Sequence, residues 1–263
     1  MLLRLDSQVN TIAAEALPAA AVYRRADLHR QRRGHEGALR PVAPGALHCP
    51  VCEKNAATFL PFGLGGRRNA LCPHCGSLER HRFLWLYLAR FTRLLRSAAR
   101  VLHTAPEPCL ERRLRALPNF RYRSLDLFDP SADVQADLGD LPFEDGHFDL
   151  ILTSHVLEHL PDDGPAITEL ARVLRRGGRA IVMVPYDPDL AITEEGGHIA
   201  SPRERMARFG HPYHYRNYGA DLVGRLTAAG FAVRAIRTKD ILSAYRRRFF
   251  RLNDNTLFDC RRL

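Results

Sequence analysis

The chain has 263 residues, of which 46% are hydrophobic and 26% charged, and a formal net charge of +10. Such a length suits one α/β domain of ordinary size plus a smaller unit, and the composition is globular rather than disordered or fibrous. No apolar run approaches the roughly 20 residues of a membrane helix, and acidic residues interrupt the weakly apolar N-terminus, so no membrane partner and a cytoplasmic location are expected.

Residues 1–45, rich in Ala and Arg, end in the Pro/Gly-containing "RPVAPGAL" and are expected to form a partly helical arm and linker. Residues 46–77 carry turn chemistry between two Cys-x-x-Cys pairs and are expected to form a small zinc-ribbon-like module. Residues 78–98 place Leu78, Phe83, Leu84, Leu86, Tyr87, Phe91, Leu94 and Leu95 near helical spacing and are expected to form a bridging helix. From residue 99 to 263, short apolar strands alternate with amphipathic helices, which predicts a mainly parallel sheet covered on both faces. Ligands of such sheets bind beyond the carboxyl ends of the strands.

The positive charge raises a nucleic-acid partner, since clustered cations release counterions from phosphates. Yet Lys54 and Lys239 are the only lysines, and the arginines are spread over the arm, several helices and the C-terminus, as an arginine-biased composition would also give. Between the cysteine pairs, Phe59 and Phe62 are the only aromatics, a small stacking surface for bases.

"CPVC" and "CPHC" present Cys49, Cys52, Cys72 and Cys75. Two such knuckles supply four soft thiolates in the tetrahedral set that suits Zn²⁺, and four protein ligands leave no position for substrate, so a structural role is expected. Two disulfides, a redox pair or an Fe–S centre are the alternatives; the first does not suit the cytoplasm and the second needs no duplicate. His74, inside a knuckle, is surplus to a complete set. Cys109 and Cys260 are expected as small buried hydrophobes.

Asp126 and Asp137 end successive predicted strands, although either alone could be a cap or loop residue. The run "DLPFEDGHFDLILTSHVLEHL" followed by "ELARVLRRGGRAIVMVP" resembles class I S-adenosylmethionine-dependent methyltransferases, from about Arg100 to the C-terminus. The knuckle pairs, "LCPHCGSLERHR" and "HPYHYRNYG" point to a subgroup with an N-terminal zinc module. The resemblance implies a Rossmann-like seven-stranded sheet whose last strand, "NTLFDC", is antiparallel. It also implies S-adenosylmethionine as cofactor, with Asp126 and the adjoining Leu127 at the ribose, Asp137 and Leu138 at the adenine, and Ser154 and His155 beside the methionine part.

The opening turn departs from the family. His103 stands where an acidic residue is usual, and "TAPEP" replaces the glycines. In one reading Ala105 keeps the turn small, Pro106 fixes φ and Glu107 returns a carboxylate for the methionine ammonium. In the other the pocket is dead and the chain is a methyltransferase-like scaffold.

Methyl transfer needs alignment and sometimes proton removal. His155, directly after a strand, is the first candidate base or orienting group, with Glu158 able to orient it and His159 expected to pack. Tyr186 follows the fifth sheet strand, either in the crevice or as a packed aromatic. His214 and Arg216 match a His-x-Arg element that lies over the pocket in relatives, His214 for substrate contact and Arg216 for charge or loop anchoring. The histidines of this region lack tight ligand spacing, so no second metal set is expected. The leading expectation is O- or N-methylation of a small molecule or glycan unit. The alternatives are an RNA methyltransferase and a non-catalytic scaffold, and the oligomeric state is left open.

Overall fold

In the computed structural model, residues 47–63, 65–199 and 201–263 are described. The expected arm of residues 1–45 lies outside them. The N-terminal segment forms two short antiparallel hairpins, β1 (Leu47–Cys49) with β2 (Lys54–Ala56) and β3 (Leu60–Phe62) with β4 (Arg67–Leu71). Each Cys-x-x-Cys turn adjoins one hairpin. The expected bridging helix is shorter and broken: α1 (Glu79–Leu86) passes into a π turn at Tyr87–Phe91, and an isolated 3-10 turn follows at Leu94–Arg96.

The central sheet is built from β5 (Ala99–Thr104), β6 (Phe120–Asp126), β7 (Val134–Gln135), β8 (Phe148–Ser154), β9 (Leu174–Met183), β12 (Phe231–Arg237) and β13 (Thr256–Arg262), in the order β12-β13-β9-β8-β5-β6-β7. The pairs among β5 to β9 are parallel, and β13 runs antiparallel to both β9 and β12. This is the expected seven-stranded, Rossmann-like α/β sheet with its last strand reversed. From β5 the chain steps outward through β6 to β7, then returns to β8 on the other side. The β5/β8 boundary is therefore the switch point where a crevice opens at the strand ends.

Period-two alternation divides the core between the two faces. On one face Val101, Leu150, Leu152, Ile181, Met183 and Leu257 pack with Cys49, Val51, Phe59, Phe83 and Leu84, so the hairpin module and α1 share one continuous core with the sheet. On the other, Leu102, Ile151, Ala180, Val182 and Phe258 pack under α3 (Gly164–Val173) and α5 (Leu222–Ala228). Between α3 and the body of β9, Gly177 has φ of +74°, and a Cβ on Gly178 would lie 2.8 Å from the Arg175 carbonyl. That turn admits only glycine pairs without strain.

Arg82 locks the module in place. Its side chain is fully buried and lies over the Phe59 ring at 4.6 Å. It donates to the carbonyls of Ala70 (3.0 Å) and Ser77 in the module, and to those of Phe250 (2.9 Å) and Arg251 (2.7 Å) just after α7 (Ala244–Phe249). A planar five-donor fork suits four carbonyls drawn from two distant segments. The small α6 (Thr238–Ile241) precedes α7.

Candidate functional site

The four knuckle cysteines converge, with every Sγ within 4.8 Å of the others. Cys49 Sγ is 3.6 Å from Cys75 Sγ, and Cys52 Sγ is 3.8 Å from Cys72 Sγ. A tetrahedron with metal–sulfur bonds of about 2.3 Å has edges of about 3.8 Å, so donor type, number and spacing all fit Zn²⁺. Ser77 Oγ lies 3.1 Å from Cys49 Sγ and 3.3 Å from Cys75 Sγ, where a hydroxyl can stabilise thiolates. Among the described residues all six cysteines are free of disulfides. Cys109 and Cys260 are buried, and burial pushes both thiols up, away from the nucleophilic form.

At the carboxyl end of β5, Ala105 takes φ of +44° and its N–H bonds the Leu125 carbonyl of β6 at 2.7 Å. A non-glycine residue there marks local strain, and His155, directly after β8, has the same left-handed backbone at φ +55°. Both flank the switch point. α2 (Pro108–Arg115) then starts with Pro at its first turn and buries Cys109, Leu110 and Leu114. Glu107 is its N-cap residue.

Glu107 is gripped by two histidines. His103, fully buried, lies with Nε2 3.1 Å from Glu107 Oε2 and Nδ1 2.8 Å from the Tyr122 hydroxyl. The carboxylate can only accept, so Nε2 carries a proton, and Nδ1 shares the other hydrogen bond with the Tyr122 hydroxyl. His81, from α1, approaches Glu107 Oε1 with Nε2 at 3.4 Å while its Nδ1 accepts the Leu78 N–H at 3.2 Å. Burial lowers His81 to about 3, which keeps it neutral. Burial opposes ionisation of Glu107, but the neighbouring His81 and the His103 hydrogen bond hold it well below the usual carboxylate range. His103 therefore stands in the acidic position not as a substitute but as the support for Glu107 four residues on. The sequence reading missed His81, whose only signal was its place in "LCPHCGSLERHR".

Several buried polar atoms at these strand ends have no hydrogen-bond partner: Thr104 Oγ1, Thr153 Oγ1, Ser154 Oγ, Glu158 Oε2 and Glu107 Oε1, which has only the long 3.4 Å approach of His81 Nε2. Thr104 and Thr153 face each other across the β5/β8 register. Buried polar groups are ordinarily satisfied, so a group of orphans at a switch point fits a polar ligand. Asp126 ends β6; its Oδ1 accepts the N–H groups of Phe128 (2.8 Å) and Asp129 (2.9 Å). Leu127 beside it is 43% exposed. Asp137 lies two residues past β7, exposed, with Oδ1 accepting the Gly139 N–H at 2.7 Å, while the Leu138 side chain is buried in the core. Pro106 is partly buried in the β5 turn.

His155 Nδ1 is 2.9 Å from Glu158 Oε1. The carboxylate fixes the Nδ1–H tautomer and leaves Nε2 as the lone-pair nitrogen. Burial and the nearby Arg80 lower His155, so the ring is neutral near pH 7. Burial would raise Glu158, but His155 offsets it and holds the carboxyl at about 2. Tyr186 is half-buried, edge-on to Phe258 at 4.9 Å, and its burial pushes the phenol up.

Arg216, on β11 (Arg216–Asn217), donates to the carbonyls of Leu157 (2.9 Å), Leu160 (2.6 Å) and Pro161 (2.8 Å), and to Glu195 at 3.2 Å on β10 (Glu194–Glu195). It anchors the turn that follows His155. The short β10/β11 ribbon flanks α4 (Pro202–Phe209), neither of which the sequence periodicity predicts. His214 is fully buried beside His211, at 4.4 Å between ring centroids, and His159, at 4.7 Å. Sequence spacing showed no second metal set, whereas the fold brings one ring nitrogen of each of these three histidines within 4.8 Å of the others.

Residues 111–182 match the profile of a family described as "Methyltransferase domain". Over 60 residues, or 23% of this chain, the sequence is 43% identical to a chloroplastic tocopherol O-methyltransferase of Arabidopsis thaliana, covering 17% of that protein. Over 63 residues, or 24% of the chain, it is 36% identical to a demethylmenaquinone methyltransferase of Staphylococcus carnosus, covering 26% of it. The chain thus spans about a sixth to a quarter of the length of these relatives. A solved S-adenosylmethionine-dependent methyltransferase from Mesorhizobium loti aligns over 68% of this chain and 97% of its own, with 16% identity and a TM-score of 0.49. Among the described residues no helix is long and apolar enough to cross a membrane.

Proposed function

We propose that the protein is an S-adenosylmethionine-dependent methyltransferase acting on an oxygen or nitrogen of a small molecule or glycan unit, with a structural Zn²⁺ on Cys49, Cys52, Cys72 and Cys75. The observation that carries this reading is the strand-end constellation. Orphan hydroxyls, a clamped carboxylate and two left-handed residues gather at the β5/β8 switch point, within a chain whose central segment matches a methyltransferase domain. The local match to a tocopherol O-methyltransferase supports the acceptor class.

In this reading the cofactor supplies an activated methyl group on a sulfonium. Asp126, with Oδ1 fixed by two backbone N–H groups, offers Oδ2 to the ribose hydroxyls, beside Leu127. Asp137 and Leu138 border the adenine. Glu107, pre-positioned by His103 and His81, receives the ammonium, and Ala105, Pro106 and Ser154 shape the wall beside it. His155 Nε2 takes the proton from the acceptor, and Glu158 stabilises the resulting imidazolium through Nδ1. Arg216 holds the Leu157–Pro161 turn, His214 borders the acceptor side, and Tyr186 closes the crevice next to β13.

Calorimetric titration with S-adenosylmethionine and its demethylated product tests the reading. Micromolar binding to the wild type, strongly weakened in Asp126→Ala with the fold intact, is expected. Absence of binding to the folded protein, or equal binding by Asp126→Ala, would remove the cofactor assignment.

A further inference from the structure

Methyl transfer gives no role to the histidine group of the β8–β11 region beyond the placing of His214 at the acceptor side. His211 and His214 form a His-x-x-His pair at the end of the α4 segment, and His159 comes from the turn after β8. Three anchors hold these separate segments together. The Tyr215 N–H bonds the Glu158 carbonyl at 2.8 Å, Arg216 grips three carbonyls of the Leu157–Pro161 turn, and His159 Nδ1 lies 3.2 Å from the Tyr213 carbonyl. A carbonyl only accepts, so His159 carries its proton on Nδ1 and presents the lone pair of Nε2. That is the arrangement by which metal-binding histidines are oriented through their other nitrogen. His214 has 0% exposure, and neither of its ring nitrogens has a partner. A fully buried imidazole with two unpaired nitrogens is a large omission in an otherwise bonded region. The third ring, His211, is 3% exposed and shares Nδ1 with the Tyr213 N–H over a long 3.3 Å. A metal would take that lone pair or, after tautomer exchange, the one on Nε2.

We propose that His159, His211 and His214 form a second metal site that binds one divalent transition-metal ion of the Zn²⁺ class, distinct from the four-cysteine site. One nitrogen from each ring lies within 4.8 Å of the others, so small rotations of the rings would bring them to the roughly 3.4 Å separation of ligands on one tetrahedral ion. Three neutral imidazoles favour Zn²⁺ and its first-row neighbours over Mg²⁺ or Ca²⁺, which prefer oxygen. Unlike the closed cysteine set, three protein ligands leave a coordination position for water or an oxygen-bearing ligand. Glu158, buried with Oε2 unpaired one residue from His159, supplies compensating negative charge. The site does not depend on the methyl-transfer reading.

The test is stepwise Co²⁺ titration of the metal-stripped full-length chain, followed by absorption spectroscopy and metal analysis. The first equivalent should give intense sulfur-to-cobalt charge-transfer bands from the four cysteines. A second should add weak d–d bands without new charge transfer. Those d–d bands should vanish in His214→Ala and in His159→Gln, while the charge-transfer bands persist and report that the fold survives. Should His214→Ala lose both sets by unfolding, the half-buried His159→Gln decides. Saturation after one equivalent in the wild type, or d–d bands unchanged in folded His159→Gln, overturns the proposal.

Discussion

His81 is neutral and buried between Leu78 and Glu107, and His81→Gln is the substitution that exposes what this costs. Glutamine can accept the Leu78 N–H through its oxygen and present an N–H toward Glu107, so the contacts at Nδ1 and Nε2 are approximately retained. It does not titrate. In the folded chain burial lowers His81 from 6.5 to about 3. The unfolded chain therefore takes up a proton below its ordinary range that the native chain refuses, and stability falls as pH drops from about 6.5 toward about 3. At about pH 5.5, one unit below the unfolded value, the loss from this group is ~1.4 kcal/mol; above about pH 7.5 it is under ~0.1 kcal/mol. The side chain is only 7% exposed, so solvent screening removes little of that.

Urea unfolding of both proteins at about pH 7.5 and pH 5.5 isolates the contribution. Other buried histidines and the cysteine site titrate equally in both, so they cancel in the difference of differences. His81→Gln should lose ~1.4 kcal/mol less than the wild type between the two conditions. Parallel losses, or a steeper one in the variant, would refute a neutral His81 and with it the account of how Glu107 is supported.

Four further outcomes are expected. Arg82→Met should cost about 3–5 kcal/mol in denaturant unfolding, because four buried carbonyls lose their donor and the module loses its tie to residues 250 and 251; a loss under about 1 kcal/mol would contradict the clamp. Ala105→Val should destabilise by more than about 2 kcal/mol, since a β-branched residue cannot take φ of +44° without strain, whereas Ala105→Gly should melt at or above the wild-type temperature. His155→Gln should lower turnover by about 10²–10⁴-fold with cofactor affinity kept, a split read by kinetics and calorimetry together. Cys72→Ser should release the thiolate-bound metal in elemental analysis and lower the melting temperature.

Much of the fold was written locally. The alternation of apolar strands and amphipathic helices from residue 99 appears at the expected places, because burial on one or both faces imposes periods that any short window carries, whereas the reversal of the last strand at "NTLFDC" was implied by the family resemblance and not by any period. The cysteine pairs were equally legible, since two thiolates on one turn are a short-range requirement. The strand ends were legible too: once β5, β6 and β8 are located, Glu107, Asp126, Ser154 and His155 must lie at one edge of a parallel sheet.

What only the tertiary structure decided depends on residues distant in sequence. "TAPEP" contains no glycine, so the left-handed backbone of Ala105 was invisible until the β5–β6 pairing bonded its N–H to Leu125. The bridging helix passes into a π turn and closes at Thr92, whose hydroxyl donates to the Leu88 carbonyl at 2.7 Å, and its first turns share a core with the hairpin module, a union fastened by Arg82 reaching residues 250 and 251. Neither His103 beside Glu107 nor His81 behind it could be assigned a role from spacing, because His81 arrives from another helix. His159 and His214 are the sharpest case. More than fifty positions separate them, and only the return of β11 to the turn after β8 brings their rings to 4.7 Å. Sequence period encodes which face a residue takes; which faces meet is set by long-range pairing and by the buried arginines that hold it.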